Sequence, residues 1–323
     1  MVVERKNFPL HSPFVITGYT FTELEAVWVT LSDGDYRGRG EACGVYYFGD
    51  TQESMTEALE GVRAQVEAGV SRDEIQHLLP PGGARNALDC AMWDLECKQN
   101  GATIWQLLDI TPHELTTVAT IGIGTSDEMA SRALELSAFA QLKVKLDSEQ
   151  PVERLSAIRA ARPDAKLVVD ANQGWTSEQL VEILPALSSL GIAMIEQPLT
   201  RGTDQSLSSV VSDIPIGADE SLVSLAEYDA VAPFYDVINI KLDKCGGLTE
   251  ALKIVERAQA DEKKIMVGNM TGTSLSMAPS YVVGKFAEFV DIDGPVLLSK
   301  DIAEGLHYQD GGVVSLPTPA LWG

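Results

Sequence analysis

The feature that most constrains the fold is a series of charged residues at the ends of short apolar runs. Over its first five positions, neighbouring members of the series lie between 22 and 26 residues apart. An apolar run, a loop and a returning helix together need about that length, so each interval predicts one β-strand followed by one helix. The series consists of Lys145, Asp170, Glu196, Asp219 and Lys241, followed by the Asp291/Asp293 pair.

Eight candidate strands follow this rhythm from about residue 115 onwards. Helical patterns separate them, and eight strands at this spacing favour a closed parallel barrel over an open sheet. We therefore predict an α/β fold in which residues 113–295 form the barrel, without a standard eighth helix. The candidate strands are Val118–Ile123, Leu142–Leu146, Leu167–Asp170, Ala193–Glu196, Ile216–Asp219, Val237–Lys241, Ile265–Gly268 and Phe289–Asp293.

Residues 1–112 lack this rhythm and predict a separate α+β domain. Leu24–Leu31 and Tyr36–Glu41 flank a turn with an Asp-Gly pair, which is typical of an antiparallel hairpin. A helix is predicted over Ala84–Lys98, and the irregular tail, 296–323, is expected to pack back onto this domain. Two further helices are predicted to begin at capping-box pairs, Asp50 with Glu53 and Ser71 with Glu74.

Composition excludes several classes of function. The net charge of −23 disfavours nucleic acids and anionic membrane surfaces as partners. No apolar run approaches the length of a membrane span, and the N-terminus lacks the apolar segment of a secretory signal. The four cysteines show no metal-binding or disulfide spacing, so we expect reduced thiols in a cytoplasmic enzyme.

The acidic members of the series predict a metal site. Functional residues of such barrels lie at the carboxyl ends of the strands, where Asp170, Glu196 and Asp219 fall. If these side chains point inward, three carboxylates converge from adjacent strands, and Mg²⁺ is the natural occupant of such an all-oxygen site. Asn172 shares the parity of Asp170 and is expected to support the ligand.

The lysines predict proton transfer at carbon. Lys145 and Lys241 lie on strands two and six, on opposite sides of the predicted ring. Two bases across a cavity can remove a proton from one face of a carbon and return it to the other, provided that a metal-bound carboxylate makes the proton acidic. Lys143 lies on the same face as Lys145, and its charge is expected to lower the pKa of Lys145.

These residues resemble the enolase superfamily, in the branch with a KxK motif on strand two and a lysine on strand six. The resemblance implies an N-terminal capping domain, a (β/α)7β TIM-like barrel and a tail that returns to the cap. It rests on ARNALDCAMWDL (84–95), LKVKLD (142–147), VVDANQGW (168–175), IEQPL (195–199), GADES (217–221), INIKLDKCGGLTEA (238–251) and DIDGP (291–295).

The Asp-x-Asp pair is similar to that of the dipeptide epimerases. This resemblance implies that Lys145 and Lys241 are the acid and base and that Lys143 tunes Lys145. It also implies that Mg²⁺, with Mn²⁺ as a possible substitute, is held by the three carboxylates. Asp291 and Asp293 would bind the free α-ammonium of a dipeptide, and the other substrate-binding candidates are Thr120, Met270, Tyr19 and Phe21.

The specificity of the site is predicted from the segment after His11–Ile16. Relatives that act on Ala-Glu resemble this chain there but carry an arginine in the following loop. Residues 17–23 read TGYTFTE and contain none, which puts recognition of a glutamate side chain by that route in doubt. Tyr19 and Phe21 favour an apolar or aromatic second residue instead. Residues 17–23 are expected to form one lid over the site, and the loop Val45–Met55 is expected to form the other.

Alternative functions remain open at this level. The same superfamily offers an N-acyl amino acid racemase, an acylsuccinate-forming dehydratase, or an Ala-Glu epimerase with a different side-chain binder. Neither of the first two would need an ammonium site at Asp291 and Asp293. A non-catalytic barrel that serves as a binding protein is a further possibility, and self-association of the barrel is possible in any of these cases.

Overall fold

The computed structural model describes residues 1–323, which begin with a three-stranded antiparallel sheet. Its strands are Val2–Ile16, Tyr19–Asp33 and Tyr36–Ala42. The predicted hairpin is present, but the sequence pattern missed the first strand. That strand is largely exposed and its register shifts between Pro9 and Phe14, so it shows no regular alternation of apolar residues. Tyr19 and Phe21 therefore lie in a strand after a tight turn, not in a loop.

Helices cover this sheet. The long helix Gly83–Asn100 packs so closely on the sheet that a Cβ atom at Gly40 would lie 2.1 Å from the Ala87 carbonyl oxygen. Prediction of the capping box at Asp50 was wrong by one residue, because Thr51 caps the helix with Ser54 as its partner. The remaining helices of this part are Gln52–Gly61, Arg63–Glu67, Arg72–Leu78, with the predicted Ser71/Glu74 box, and Ile104–Leu107.

Eight parallel strands form the predicted barrel, and each pairs with its neighbours in sequence order. A hydrogen bond of 2.9 Å from the Val118 amide to the Val290 carbonyl joins the first strand to the last. The strands, numbered one to eight below, are Ala119–Ile121, Gln141–Lys145, Lys166–Asp170, Ile192–Glu196, Ile216–Ala218, Val237–Ile240, Lys264–Val267 and Phe289–Val290. The predicted fold class is confirmed.

The helices between these strands are less regular than the rhythm of the sequence suggests. Strand four is followed by a 3₁₀ helix, Asp204–Ser209, and strand five by three short helical segments within 225–234. Strand eight leads only into Gly294–Leu297, in agreement with the absence of a standard eighth helix. The other helices are Ser126–Glu135, Pro151–Ala161, Ser177–Ser189, Leu242–Cys245, Leu248–Ala260 and Ser274–Gly284.

The C-terminal tail contacts both parts of the chain. Its strands Tyr308–Gln309 and Val313–Val314 form a small antiparallel sheet with Leu115–Thr116. The buried Trp322 donates its indole N–H to the Cys90 carbonyl of the long helix at 3.0 Å. The exact domain boundaries stay a prediction. None of the helices combines the length and the apolar character that crossing a lipid bilayer requires.

Candidate active site

Strand register brings the predicted metal ligands together. Lys145 pairs with Asp170, Asp170 with Glu196, and Glu196 with Gly217. Asp219 follows two residues later, just beyond strand five. All three carboxylates are buried, and one oxygen atom from each lies within 4.8 Å of the others. The prediction that these acids converge at the carboxyl ends of three adjacent strands matches this arrangement.

Side chains that the sequence analysis did not single out hold these acids in place. Asn239 donates to Glu196 Oε1 at 2.6 Å, and Lys244 donates to Asp219 Oδ1 at 2.6 Å. Lys244 is itself only 1% exposed. Asn239 could have been found from its parity with Lys241, because Asn239 lies in strand six and Lys241, two residues later, comes directly after the end of that strand. Lys244 gave no such signal, since it lies in a short helix beyond the strand.

The donor set fits a hard divalent cation. Three carboxylates offer only oxygen ligands, which is the preference of Mg²⁺. Burial and the negative charge of Asp170 raise the pKa of Glu196 to about 8, so without a cation this carboxyl group tends to hold a proton. Burial also disfavours the charged form of Asp219, but Lys241 and Lys244 outweigh it and lower the pKa of that carboxyl group.

The two candidate bases lie on opposite sides of this cluster. Lys145 Nζ is 2.6 Å from Asp170 Oδ2, and Lys241 Nζ is 2.6 Å from Asp219 Oδ2. Their strands are four positions apart in an eight-stranded ring. Burial would lower the pKa of Lys241, but the charge of Asp219 more than offsets it and raises the pKa above its ordinary value. The carboxylate partner therefore keeps this lysine protonated.

Lys143 has more partners than its predicted role requires. Its Nζ atom lies 2.7 Å from Glu196 Oε2, 2.8 Å from Asp291 Oδ2 and 3.2 Å from Asp170 Oδ2. Burial opposes the charge, but these acids, Asp291 foremost, raise the pKa of Lys143 well above its ordinary value. Lys143 is thus a fixed positive charge between the metal ligands and the Asp291/Asp293 pair. Its predicted effect on Lys145 stays a prediction.

The two acids after strand eight differ in their surroundings. Asp291 pairs with Lys143, whereas Asp293 makes no ion pair and accepts the Thr120 backbone N–H at 2.6 Å. Burial and the charge of Asp291 raise the pKa of Asp293 to about 7. Asp293 is therefore the acid of this pair that lacks a cationic partner. Both side chains line the same cavity as the candidate bases Lys145 and Lys241.

Aromatic side chains wall the cavity beside the N-terminal sheet. Phe21 and Tyr46 line it, with ring centroids 5.2 Å apart in an edge-to-face arrangement. Tyr19 is 45% exposed and does not line the cavity, but its ring packs on Tyr46 at 4.3 Å. Tyr46 belongs to the predicted lid segment Val45–Met55. Thr120 and Met270, the other predicted substrate-binding residues, also line the cavity. Asn172, which was predicted to support Asp170, donates its backbone N–H to Asp170 Oδ1 at 2.9 Å, but its side chain donates to Glu220 Oε1 at 3.2 Å.

The cavity wall carries more acidic than basic side chains. None of the 27 lining residues is an arginine, and the three lysines among them are ion-paired with carboxylates. The acids on the side of the N-terminal sheet and its following loop are Glu23, Glu25 and Asp50. A second carboxylate on a ligand would therefore meet no free cation here, and its desolvation would remain uncompensated.

Comparison with known families identifies both halves of the chain. Residues 1–109 match the mandelate racemase/muconate lactonizing enzyme N-terminal domain, and residues 126–320 match the enolase C-terminal domain-like family. The chain belongs to the enolase superfamily. This finding confirms the predicted resemblance.

Curated relatives are similar over almost the whole chain. The L-Ala-D/L-Glu epimerase of Escherichia coli is 40% identical, over 96% of this chain and 97% of the relative. The N-acetyl-D-glutamate racemase of a Pseudoalteromonas species is 36% identical (91% and 94%), and the hydrophobic dipeptide epimerase of Roseobacter litoralis is 32% identical (97% and 93%). The predicted class of enzyme, an isomerase, is confirmed.

Solved structures share the fold closely. An enolase family member from Agrobacterium tumefaciens with homology to dipeptide epimerases, with bound sodium and L-Ala-L-Glu, has a TM-score of 0.96 and 39% identity, over 100% of this chain and 99% of that one. The dipeptide epimerase of Cytophaga hutchinsonii, complexed with Mg and D-Ala-L-Val, has a TM-score of 0.91 and 25% identity, over 98% and 92%.

Proposed function

We propose that this protein is a Mg²⁺-dependent dipeptide epimerase that inverts the α-carbon of the C-terminal residue of its substrate. The observation that carries the proposal is the position of Lys145 and Lys241. They lie on opposite sides of three buried carboxylates, and they share a cavity with the Asp291/Asp293 pair. The epimerases among the relatives and solved structures support the same reaction.

The reaction is an exchange of protons between two faces of one carbon. One lysine, in its neutral form, takes the α-proton, and the protonated lysine on the other side delivers a proton to the opposite face. Asp170, Glu196 and Asp219 would hold Mg²⁺, which would supply positive charge to stabilise the additional negative charge on the substrate carboxylate when the α-proton is removed. Lys145 and Lys241 must leave their carboxylate partners for this step.

The free α-ammonium of the dipeptide is assigned to the Asp291/Asp293 pair. A buried ammonium needs an ionised partner to offset its loss of hydration. Asp293 supplies that partner because it makes no ion pair of its own, and Lys143 holds the neighbouring Asp291 in a fixed position. This arrangement distinguishes a dipeptide from an N-acylated amino acid, which carries no positive charge at that nitrogen.

The second residue of the preferred dipeptide is apolar or aromatic. Phe21 and Tyr46 offer an aromatic wall, and the lining contains no cation that is free to pair with a side-chain carboxylate. Two of the relatives are named for substrates that contain glutamate, and a third is named for hydrophobic dipeptides. The absence of an arginine in the cavity supports the hydrophobic alternative for this chain.

A dipeptide library in deuterated buffer tests the proposal. Each substrate that is epimerised gains one mass unit from solvent at its α-carbon. We expect Mg²⁺-dependent mass gain, greater with Ala-Leu or Ala-Phe than with Ala-Glu. A strong preference for Ala-Glu would contradict the side-chain assignment alone. No mass gain with any dipeptide would contradict the proposed reaction and leave an N-acyl amino acid racemase or a non-catalytic barrel.

An N-acyl amino acid racemase is the second candidate, favoured by the N-acetyl-D-glutamate racemase among the relatives. The two candidates differ in their need for carboxylates at residues 291 and 293. In a racemase of N-acylated substrates, Asp293→Asn should leave turnover almost unchanged, because Asp293 makes no ion pair with the lysines around the metal ligands. Substitution of Mn²⁺ for Mg²⁺, self-association and a cytoplasmic location are further parts of the proposal that await measurement.

A further inference from the structure

Gln197 occupies an unusual position immediately after the metal ligand Glu196. Its side chain is fully buried, and its backbone has a positive φ of 35°, a conformation that non-glycine residues seldom adopt. The chain turns sharply here, at the point where strand four ends. The side chain consequently extends toward the neighbouring loop after strand five, which carries Asp219.

The hydrogen bonds of Gln197 continue the ladder between strands four and five. Regular pairing stops at Glu196 and Gly217, and the Gln197 amide N–H donates to the Gly217 carbonyl at 2.8 Å. Beyond that point, the side-chain oxygen of Gln197 accepts the backbone N–H of Asp219 at 2.9 Å and that of Ser221 at 3.0 Å. One side-chain carbonyl thus replaces the missing main-chain acceptor.

A buried network fixes the orientation of this amide. The side-chain nitrogen of Gln197 donates to the Leu199 carbonyl at 2.8 Å and lies within hydrogen-bonding distance of Ser221 Oγ and Tyr235 Oη. Tyr235 in turn donates to Asp204 Oδ1 at 2.6 Å, and Ser221 donates to the same oxygen. With its nitrogen facing these acceptors, the amide must present its oxygen to Asp219.

We infer that Gln197 is a positioning residue that fixes the spacing between Glu196 and Asp219 as metal ligands. This inference rests on the proposed function, in which Glu196 and Asp219 bind the metal. It adds that one side chain, that of Gln197, sets the relative positions of these two ligands. Loss of the Gln197 oxygen would free the backbone at Asp219 while leaving every ligand atom in the chain. Cation affinity should fall because groups that orient metal ligands commonly contribute a factor of about 10 to 100 to binding.

The full-length protein tests this inference with Mn²⁺ as the probe, measured by the electron paramagnetic resonance signal of the free ion. Gln197→Met removes the acceptor at similar volume, and we expect the dissociation constant to rise about 10- to 100-fold. Tyr235→Phe is the matched control, because it removes a hydroxyl group from the same buried network but leaves the Gln197 oxygen in place to accept the backbone N–H groups of Asp219 and Ser221. It should lower the urea midpoint of the metal-free protein but change Mn²⁺ affinity less than about twofold.

Two conservative variants keep the test decisive. Gln197→Glu retains an oxygen that can accept the Asp219 N–H and should bind Mn²⁺ more tightly than Gln197→Met. If Gln197→Met does not fold, Gln197→Asn takes its place, because its shorter side chain cannot reach the loop and should weaken binding similarly.

Each outcome bears on the inference. Unchanged Mn²⁺ affinity in Gln197→Met, or an equal loss in Tyr235→Phe, would overturn the positioning role and leave the proposed reaction intact. Failure of the wild-type protein to bind Mn²⁺ would overturn both the metal site and the role of Gln197. A selective loss in the Gln197 variants, partly restored by glutamate, is the result that the structure predicts.

Discussion

Lys143 Nζ lies 2.8 Å from Asp291 Oδ2, and this buried ion pair connects the second barrel strand to the segment after the eighth. The same ammonium lies 2.7 Å from the metal-ligand candidate Glu196. The proposed ammonium-binding pair and the proposed metal site therefore share one fixed positive charge. Substitution of Asp291 should therefore disturb the metal ligands through Lys143, whereas substitution of Asp293 should affect substrate binding alone.

This difference predicts distinct kinetics for the two acids. Asp293→Asn should raise KM for an unblocked dipeptide by about 30-fold or more, because loss of one partner of a buried charge pair costs about 2 kcal/mol or more. Asp291→Asn should also lower kcat, since it removes one of the three carboxylates around Lys143 and leaves that ammonium to Glu196 and Asp170, the candidate metal ligands. Steady-state kinetics on Ala-Leu would show the split, and identical KM and kcat effects in the two variants would contradict it.

Side-chain preference should follow the charge of the cavity wall. Phe21→Arg places a cation among the lining residues and should raise kcat/KM for Ala-Glu relative to Ala-Leu about tenfold or more, because a hydrogen bond to a charged group contributes about 1.5 to 3 kcal/mol. Thr20→Arg is the control, since Thr20 is exposed and does not line the cavity. An equal shift in both variants would indicate a general effect of charge.

Removal of the metal should abolish the reaction. Treatment with EDTA should stop exchange of the α-proton, because the three carboxylates alone cannot stabilise negative charge on the substrate. Addition of Mg²⁺ or Mn²⁺ in excess should restore it, as measured by deuterium incorporation into the dipeptide. Full activity of protein shown to be metal-free by elemental analysis would contradict the assignment.

Stability of the metal-free protein should fall as pH rises from 6 to 8.5. Six buried carboxyl groups have raised pKa values in the folded state, so over this range the folded protein binds more protons than the unfolded chain does. The slope is negative, by up to about 1.4 kcal/mol per pH unit for each group. The groups are Asp89, at about 6, Glu41, Glu220, Asp243 and Asp293, at about 7, and Glu196, at about 8.

Urea unfolding at several pH values measures this slope. Saturating Mg²⁺ should reduce it, because a cation bound to Glu196 displaces the proton that this carboxyl group otherwise holds. A stability that rises between pH 6 and 8.5 in the absence of metal would show that these groups do not titrate as their burial requires.

The sequence was sufficient to predict residues whose role depends on strand parity and spacing. Lys145, Asp170 and Glu196 end three consecutive strands, so parallel register alone brings them side by side. Asp219 and Lys241 follow from the same rhythm. The barrel was predictable for the same reason, because its buried strands are continuous apolar runs separated by near-constant intervals.

Other residues depend on tertiary contacts that no local pattern encodes. The Gln197 side chain accepts the backbone N–H of Asp219, just beyond the end of strand five. Lys244 donates to the Asp219 side chain from the short helix after strand six. The strand Val2–Ile16 escaped prediction because most of its residues are exposed and its register is interrupted. Tyr19 was expected at the substrate, but its ring packs on Tyr46 from outside the cavity.

Exchange of the α-proton in single lysine variants tests the two-base scheme most directly. Lys145→Ala and Lys241→Ala should each block epimerisation in deuterated buffer with Mg²⁺ present. Each variant should still incorporate deuterium into one epimer of the dipeptide, and the two variants should act on opposite epimers. Incorporation into both epimers by either variant would contradict the assignment of one lysine to each face.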